Sequence, residues 1–391
     1  MSSPCARVLS TFIAFLGLVG TLVVGLPSGA HADERGKPPA SRRNQPATDR
    51  VLLSPDEWSR LDRAVDRGLD FLSKSQEPDG SFATTIEGQP GVTSLCVMAF
   101  LSRGHQPGKG PYGAQLERAI EYVLSTQDPS SGAIMIDRLI AGRNWGSIYC
   151  HGMSGIMLAE VYGMTDARRH ERIRTAIAKA LDFTRKQQLR PKRNPDERGG
   201  WRYMRLYGVN DADLSITAWQ LMFLRAARNA EFPVPQEWVK EAMGYVHRSF
   251  DVNERGFLYA LAADERYCNR GMVGAGIVCL ELGGEHQSET AKEAGNWILR
   301  QSFKPYNNSW QGDDRYHYSA FYCSQAMFQL GGDYWRRFFP NFLEVLADAQ
   351  HADGSWDPES VKDGRFGNVY TTALAILALA TPYQILPIYQ R

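Results

Sequence analysis

Two aspartates, Asp211 and Asp213, stand two residues apart at the start of an apolar run that continues to Ala227. Carboxylates there have two uses. As a helix N-cap, Asp213 would accept hydrogen bonds from the amides of Ser215 or Ile216. As a proton donor, it would have to stay protonated in an apolar cavity with no water to take the proton. A cation formed beside it would need aromatic faces. Trp145, Tyr149, Trp219, Phe223, Tyr322 and Tyr370 lie on or before apolar runs, and such rings serve either as cavity wall or as core.

Other residue types suggest other chemistry. Cys150-His151, Tyr267-Cys268-Asn269 and the run from Tyr316 through His317 to Cys323 carry soft and imidazole groups. These would bind a metal only if they converge. The expectation is ordinary rim residues, with His151 and His317 at the cavity, and no metal or other cofactor. Asp313-Asp314 follows Trp310, and Asp353 and Asp357 flank Trp356. Two carboxylates facing each other across a cleft would suit glycoside hydrolysis, whereas Asp353 sits in an Asp-Gly turn that needs it locally. The basic run Arg190 to Arg198 would face an anion at a cavity mouth or remain solvated loop charge, since Asp196 and Glu197 interrupt it. No Gly-rich phosphate loop, serine-hydrolase elbow or His-Glu-x-x-His stretch occurs.

The elements that must position these residues repeat along the chain. Gln76-Glu77-Pro78-Asp79-Gly80-Ser81-Phe82 and Gln350-His351-Ala352-Asp353-Gly354-Ser355-Trp356 are two clear copies of one turn. Weaker copies are Gln127 to Ile134, Gly199-Gly200-Trp201, Gly256-Phe257 and Asn308-Ser309-Trp310. Each turn leads into a run that is apolar nearly all round, which predicts a buried helix. The run starts are about 50 to 65 residues apart. Several runs end in glycine (Gly104, Gly163, Gly283 and Gly331), which suits a left-handed helix C-cap. Between the runs lie amphipathic segments such as Leu61 to Ser73 and Trp335 to Leu346, with apolar residues at helical spacing. Pairing one buried with one half-exposed helix six times predicts an all-α (α/α)6 toroid, an inner ring inside an outer ring. Closing the ring buries both end repeats, so none needs a polar cap.

The turn and the helix after it resemble the repeat of squalene cyclases and of protein prenyltransferase β subunits, over about residues 55 to 388. The resemblance implies a central cavity lined by inner-helix residues, with an apolar small molecule or lipid as partner. Asp211-Ala212-Asp213-Leu214 looks like the Asp-x-Asp-Asp motif of class II terpene cyclases, which protonate an alkene or epoxide. By that likeness Asp213 is the acid and Asp211 holds the motif's first position, while Leu214 replaces its last carboxylate. The zinc pattern of the prenyltransferases fails residue by residue, since Ser319, Asn269 and Tyr267 fall at the ligand positions. In the conserved turn, glutamine is expected to bond loose carbonyls at an outer helix end, while the aromatic ring packs on the next repeat.

The 391 residues are 43% hydrophobic with a net charge of +1, ample for one large core and without an electrostatic footprint for nucleic acid. Arg7, the apolar stretch Leu9 to Leu26 and Ala30-His31-Ala32 read as an export signal, residues 1–32. Residues 33–54 would be a flexible lead-in to the toroid at 55–388, leaving no stable membrane span after cleavage. The five remaining cysteines, Cys96, Cys150, Cys268, Cys279 and Cys323, are odd in number and predict no disulfide framework. Three functions remain open. A dry aromatic cavity with Asp213 pointing inward would favour an isoprenoid cyclase or isomerase. A filled or shallow cavity with Asp213 as a cap would favour a binding or assembly scaffold. An open polar groove with paired carboxylates would favour a carbohydrate-active enzyme.

Overall fold

The computed structural model describes residues 53–136, 147–204, 209–308 and 314–390. The segment read as an export signal, Trp145, Trp310 and Asp313 lie outside them. The described residues form twelve α-helices. The outer set is α1 (Pro55–Lys74), α3 (Gly113–Ser125), α5 (Ala167–Gln188), α7 (Gln236–Arg248), α9 (Glu289–Leu299) and α11 (Gly332–Asp348). The inner set is α2 (Gly91–Ser102), α4 (Ser147–Val161), α6 (Leu214–Asn229), α8 (Arg270–Leu282), α10 (Tyr316–Leu330) and α12 (Gly367–Leu379). Each inner helix touches the next, and α12 returns to α2, so the ring closes as an α/α toroid. Every residue of α2 and α10 is buried, as their all-round apolar character demands. The only strands among the described residues are a hairpin, β1 (Phe250–Asp251) and β2 (Gly256–Phe257), in the fourth repeat. The five described cysteines are free and buried.

The repeated turn works across the repeat boundary. In four copies the glutamine Nε2 donates twice: once to a carbonyl of its own turn, once into the body of the next outer helix. Gln76 bonds Gly80 O and Gln115 O, and Gln127 bonds Gly132 O and Ala176 O. Gln188 bonds Gly199 O and Trp238 O, and Gln350 bonds Gly354 O and Ala64 O. The expected loose carbonyls at a helix end are therefore not the partners. Ala64 and Ala176 lie well inside α1 and α5, and the bond tethers neighbours rather than capping an end. The Gln350 bond joins the sixth repeat to the first.

The turn glycine is forced by the same approach. Gly80, Gly132, Gly199 and Gly354 all have φ between +81° and +94°. A Cβ on Gly354 would run into the Arg67 carbonyl oxygen, and one on Gly80 into that of Arg118. Two constraints, left-handed backbone and close contact, converge on one residue. Of the expected glycine C-caps, Gly104 and Gly331 have positive φ. Gly283 has φ −75° and the left-handed position falls one residue later, at Gly284, while Gly163 sits in a 3-10 turn instead.

After the turn, a backbone amide is caught by the following inner helix. Phe82, Trp201 and Trp356 donate their N–H groups to the hydroxyls of Thr93, Thr217 and Thr372 at 2.9–3.1 Å. In the second repeat Ile134 N–H goes to His151 Nδ1 at 3.1 Å. The indoles of Trp201 and Trp356 are fully buried and donate to Thr184 O and Leu346 O. The C-terminal 3-10 turn Pro387–Tyr389 lies against the C-terminal ends of the inner helices. It is held by Glu160 of α4, Asn229 of α6 and Gln329 of α10.

Two outcomes follow. Gln350→Leu removes both tethers at the ring closure and takes the side-chain donor from the Gly354 carbonyl, which should cost about 2 kcal/mol in urea unfolding. Gln301→Leu is the control. Its amide reaches only Trp297 O of its own helix, and the change should stay within about 0.5 kcal/mol. Equal effects would refute the cross-repeat account. The second concerns Glu160, whose carboxyl is raised from an ordinary 4.5 to about 7 by burial, against the Ile388 amide that it accepts. Below the unfolded value both states hold the proton. Between the two values the unfolded chain releases it first, so stability falls as pH rises, by about 3 kcal/mol once pH exceeds 7. Unfolding free energies at pH 5 and 8 should converge in Glu160→Gln. A variant that keeps the wild-type slope would show that Glu160 is not its source.

Candidate functional site

The inner helices present their N-terminal turns to one cavity of about 840 Å3. Val92 of α2, Tyr149 of α4, Ser215 of α6, Met272 of α8, Tyr318 of α10 and Tyr370 of α12 line it, all within the first turns of their helices. The positive ends of several helix dipoles therefore surround it, and acidic or amide side chains cap three of them. Asp213 Oδ1 accepts from Ile216 N–H at 2.8 Å, and Asn269 Oδ1 from Met272 N–H at 2.9 Å. Glu359, buried behind α10, accepts from the amides of Tyr316, His317 and Tyr318 at 2.8–3.3 Å.

The loops before the inner helices supply the rest of the wall. Six tyrosines face it: Tyr149, Tyr203, Tyr259, Tyr267, Tyr318 and Tyr370. Tyr259 and Tyr267 stack at 5.3 Å between ring centroids. Four carboxylates (Glu87, Asp264, Glu265, Asp363) are matched by four cations (Arg202, Arg315, Lys362, Arg365). Three ion pairs join them across repeat boundaries: Arg202 with Glu265 at 2.8 Å, Arg315 with Asp363 at 3.2 Å, and Arg365 with Glu87 at 3.6 Å.

Arg202 organises one side. Its guanidinium is almost wholly buried and donates to Asp213 Oδ2 at 2.9 Å, to both oxygens of Glu265, and to the Tyr259 hydroxyl at 3.1 Å. It lies 4.8 Å from the Tyr203 ring centroid. Asn210 adds a bond from Nδ2 to Glu265. Ser215 Oγ donates to Asp213 Oδ1 at 2.6 Å and meets the Tyr149 hydroxyl at 2.5 Å. Burial raises the Asp213 carboxyl above the usual carboxylate range, opposed by Arg202, Ser215 and the Ile216 amide. The Tyr149 phenol is also pushed up, first by burial and then by neighbouring Tyr203 and Asp213.

The expected site residues separate in space. Tyr149 and Tyr370 line the cavity. Asp213 does not. It has no exposed surface and serves as the α6 cap and the Arg202 partner, so it presents no proton to a cavity occupant directly. Asp211 points the other way, into the basic loop, where Arg193 holds its carboxyl below the ordinary range. Lys192 bonds the Asp211 carbonyl and Arg190 that of Met204, which places this basic run in the local fold. His151 is fully buried. Its Nδ1 accepts the Ile134 amide, Nε2 faces Thr184, and burial lowers its pKa to about 3, so it stays neutral. His317 is likewise fully buried, with Nε2 3.1 Å from the Tyr306 hydroxyl. Phe223 packs over Gly155, where an added Cβ would meet its ring at 2.6 Å. Trp219 stacks on Phe321 with centroids 5.5 Å apart, and Tyr322 packs edge-on against the same indole. These two inner helices, α6 and α10, are not neighbours in the ring, so their rings meet across the toroid axis and fill it below the cavity.

The metal candidates go to separate partners as well. Cys150 sits against Glu87 O, and no group of three or more His, Cys, Asp or Glu side chains among the described residues is placed to hold a metal. Asp314 pairs with buried Arg270 at 2.6 Å, while Asp357 pairs with exposed His351. The carboxylates that do face the cavity were missed from sequence. Their signal was the density of tyrosine, arginine and acid just before each inner helix, as in Tyr259 to Asn269 and Lys362 to Phe366.

No protein-family model matches the chain, and no curated protein sequence does. Solved structures match its fold along nearly their whole length. Type II terpene cyclase MstE from Scytonema is 14% identical with a TM-score of 0.54, covering 84% of this chain and 99% of that one. The same cyclase has been solved with geranylgeranyl dihydroxybenzoate, its substrate. A D-mannose isomerase is 12% identical with a TM-score of 0.58, covering 86% and 99%. Cellobiose 2-epimerase from Bacillus thermoamylovorans is 11% identical with a TM-score of 0.56, covering 82% and 99%. What this chain shares with them is the α/α toroid.

The buried charges give a direct test. Arg202→Met leaves two carboxylates without their cation and should cost about 3–5 kcal/mol in thermal or urea unfolding. Combining it with Asp213→Asn removes one orphaned charge and should recover part of that loss. A simple sum of two penalties would mean that the two residues do not act as a pair.

Proposed function

We propose that the toroid is a carbohydrate-active protein that binds a saccharide, or a similarly polyhydroxylated molecule, in the tyrosine-lined cavity. The observation that carries this reading is the wall itself, with six phenols and with four carboxylates and four cations balanced in sign. Sugar hydroxyls both donate and accept, so a wall holding charged donors and acceptors in equal number suits them. Flat rings such as the Tyr259–Tyr267 stack offer faces for the C–H side of a sugar ring. A neutral, hydroxyl-rich ligand satisfies such a wall without leaving a net charge buried. An isoprenoid would displace water from these polar groups and offer them no hydrogen bonds in return, at a cost for each.

A second reading keeps the apolar ligand expected from the sequence. Val92, Met153, Met272 and Phe366 supply an apolar part of the wall. The likeness to a terpene cyclase that binds a prenylated substrate also favours it. In that reading the ligand combines a prenyl tail with a polar head. We further propose that the chain is exported, on the strength of its N-terminal apolar stretch and Ala30-His31-Ala32.

Saturation-transfer NMR of the purified chain decides between the two. The panel is D-glucose, D-mannose, cellobiose, an N-acetylglucosamine tetramer and micelle-free geranylgeraniol. At least one saccharide should bind, and Tyr259→Ala should weaken it about tenfold, the order expected for losing one stacked ring. Binding of geranylgeraniol with no saccharide signal would overturn the carbohydrate reading in favour of the second.

A further inference from the structure

We propose that Tyr149, Ser215 and Asp213 form a proton relay that opens on the cavity at Tyr149, with Tyr149 the group that exchanges a proton with a bound ligand. The proposal deepens the carbohydrate reading and rests on it for its substrate class.

Three residues joined by two contacts define the path. Tyr149 is half-buried on the wall, Ser215 lies beside it on the wall, and Asp213 is wholly enclosed behind Ser215. Tyr149 Oη is 2.5 Å from Ser215 Oγ, and Ser215 Oγ is 2.6 Å from Asp213 Oδ1. The direction follows from counting hydrogens. Ser215 has one, and it goes to Asp213. The Tyr149–Ser215 contact therefore has Tyr149 as donor. Both hydrogens point towards the carboxylate, and the Tyr149 oxygen keeps its acceptor capacity for the cavity side, where the Tyr203 side chain also reaches it.

Asp213 is suited to take up a proton because one guanidinium serves two carboxylates. Arg202 bonds Asp213 through one nitrogen and Glu265 through the other. Two anions on a single buried cation leave an uncompensated charge in a medium of low polarity, and a proton relieves it. The remaining charged neighbour of Asp213 is Lys192, and its further titratable neighbours are phenols that burial keeps protonated. Among the described lining residues, Tyr149 is the one joined through a second hydroxyl to the enclosed Asp213 carboxylate. No histidine lines the cavity. Glu265, Asp363 and Glu87 are each held by an arginine, and Asp264 is exposed at the rim.

On a reducing sugar the step balances as follows. The anomeric O–H breaks and its proton forms a new O–H bond on Tyr149. The proton of Tyr149 passes to Ser215, and that of Ser215 to Asp213 Oδ1. The electron pair left on the anomeric oxygen forms C=O, and the ring C–O bond breaks onto the ring oxygen, which takes a proton from a cavity water and leaves hydroxide that recovers this proton when the ring recloses. Tyr149 and Ser215 end unchanged, and Asp213 is neutral until the reverse transfer. Reclosure on either face interconverts the anomers. Tyr149 is thus the catalytic residue, with Ser215 and Asp213 acting through it.

The test follows anomer interconversion of freshly dissolved α-D-glucose, D-mannose and cellobiose by NMR, with saturation transfer reporting binding in the same samples. The wild type should accelerate at least one sugar. Tyr149→Phe and Ser215→Ala should each lower the protein-dependent rate about a hundredfold while binding stays within about twofold, and Ser215→Thr should restore most of the rate. A Ser215→Ala protein that binds sugar and keeps the wild-type rate overturns the relay and leaves the carbohydrate reading standing. A ligand-free measurement separates the two ideas. The infrared carboxylate band of the purified, ligand-free chain near neutral pH should lose a component in Asp213→Asn and shift in Ser215→Ala. Absence of both changes overturns the relay. Their presence without binding of any sugar supports the relay and sinks the saccharide reading.

Discussion

A glutamine amide reaching across a repeat boundary is the interaction on which the rest of the molecule depends. An isolated helix pair cannot bury its inner helix, because that helix is apolar on every side. It needs a neighbour on each flank, and the neighbour must be held at a fixed height and angle. The glutamine does this with two bonds, one inside its own turn and one in the next outer helix. The turn then lies so close to that helix that only glycine fits three residues beyond the bonded carbonyl. Height and spacing are thus fixed by hydrogen bonds, which are directional, while apolar burial supplies the driving force, which is not.

The same device sets the polarity of the ring. Each turn delivers the chain to the start of an inner helix, and in four repeats a threonine, or His151 in the second, catches the turn amide there. All inner helices therefore begin at one end of the toroid. Their N-termini face one space, and the opposite end is closed by the chain's own C-terminal turn. A cavity ringed by helix N-termini has a positive bias. Asp213 and Glu359 answer it with buried carboxylates, and each then has to be matched in turn. Arg202 is part of that response, and its second anion, Glu265, belongs to the next repeat.

The sequence made the ring legible because its signal is periodic. Twelve helices and their order follow from the alternation of all-apolar and amphipathic runs, and the two best turns identify the repeat unit. Asp213 was legible as a cap because capping is local. The cavity was legible only where it coincides with a helix start, as at Tyr149 and Tyr370. His151, Trp219, Phe223, His317 and Tyr322 were assigned to it because they belong to inner helices, but an all-apolar helix carries no mark of which face meets the axis. Nor does the sequence tell that Trp219 and Phe321, about a hundred residues apart in sequence, meet across that axis and fill it. The polar wall was hidden for a related reason. Arg202 and Glu265 are 63 positions apart and make sense only as a pair.

That pair also resolves the two readings of Asp213. A cap and an acid–base group appear to be rivals, since a cap wants an anion bound by amides and an acid wants a proton. Here the two oxygens divide the work. Oδ1 takes the Ile216 amide and the Ser215 hydroxyl, and Oδ2 takes Arg202. The amide bond is needed whatever the charge, because α6 must begin there. The hydroxyl bond can carry a proton either way, because serine donates and accepts equally well. What an apolar cavity would have done by surrounding a bare carboxylic acid, this site does by enclosing the carboxylate and exposing a phenol in its place. Water that enters the polar cavity then meets Tyr149 rather than Asp213. A tyrosine at the surface and an aspartate behind it is an arrangement that suits the wet, hydroxyl-rich occupant proposed for the charged wall around it.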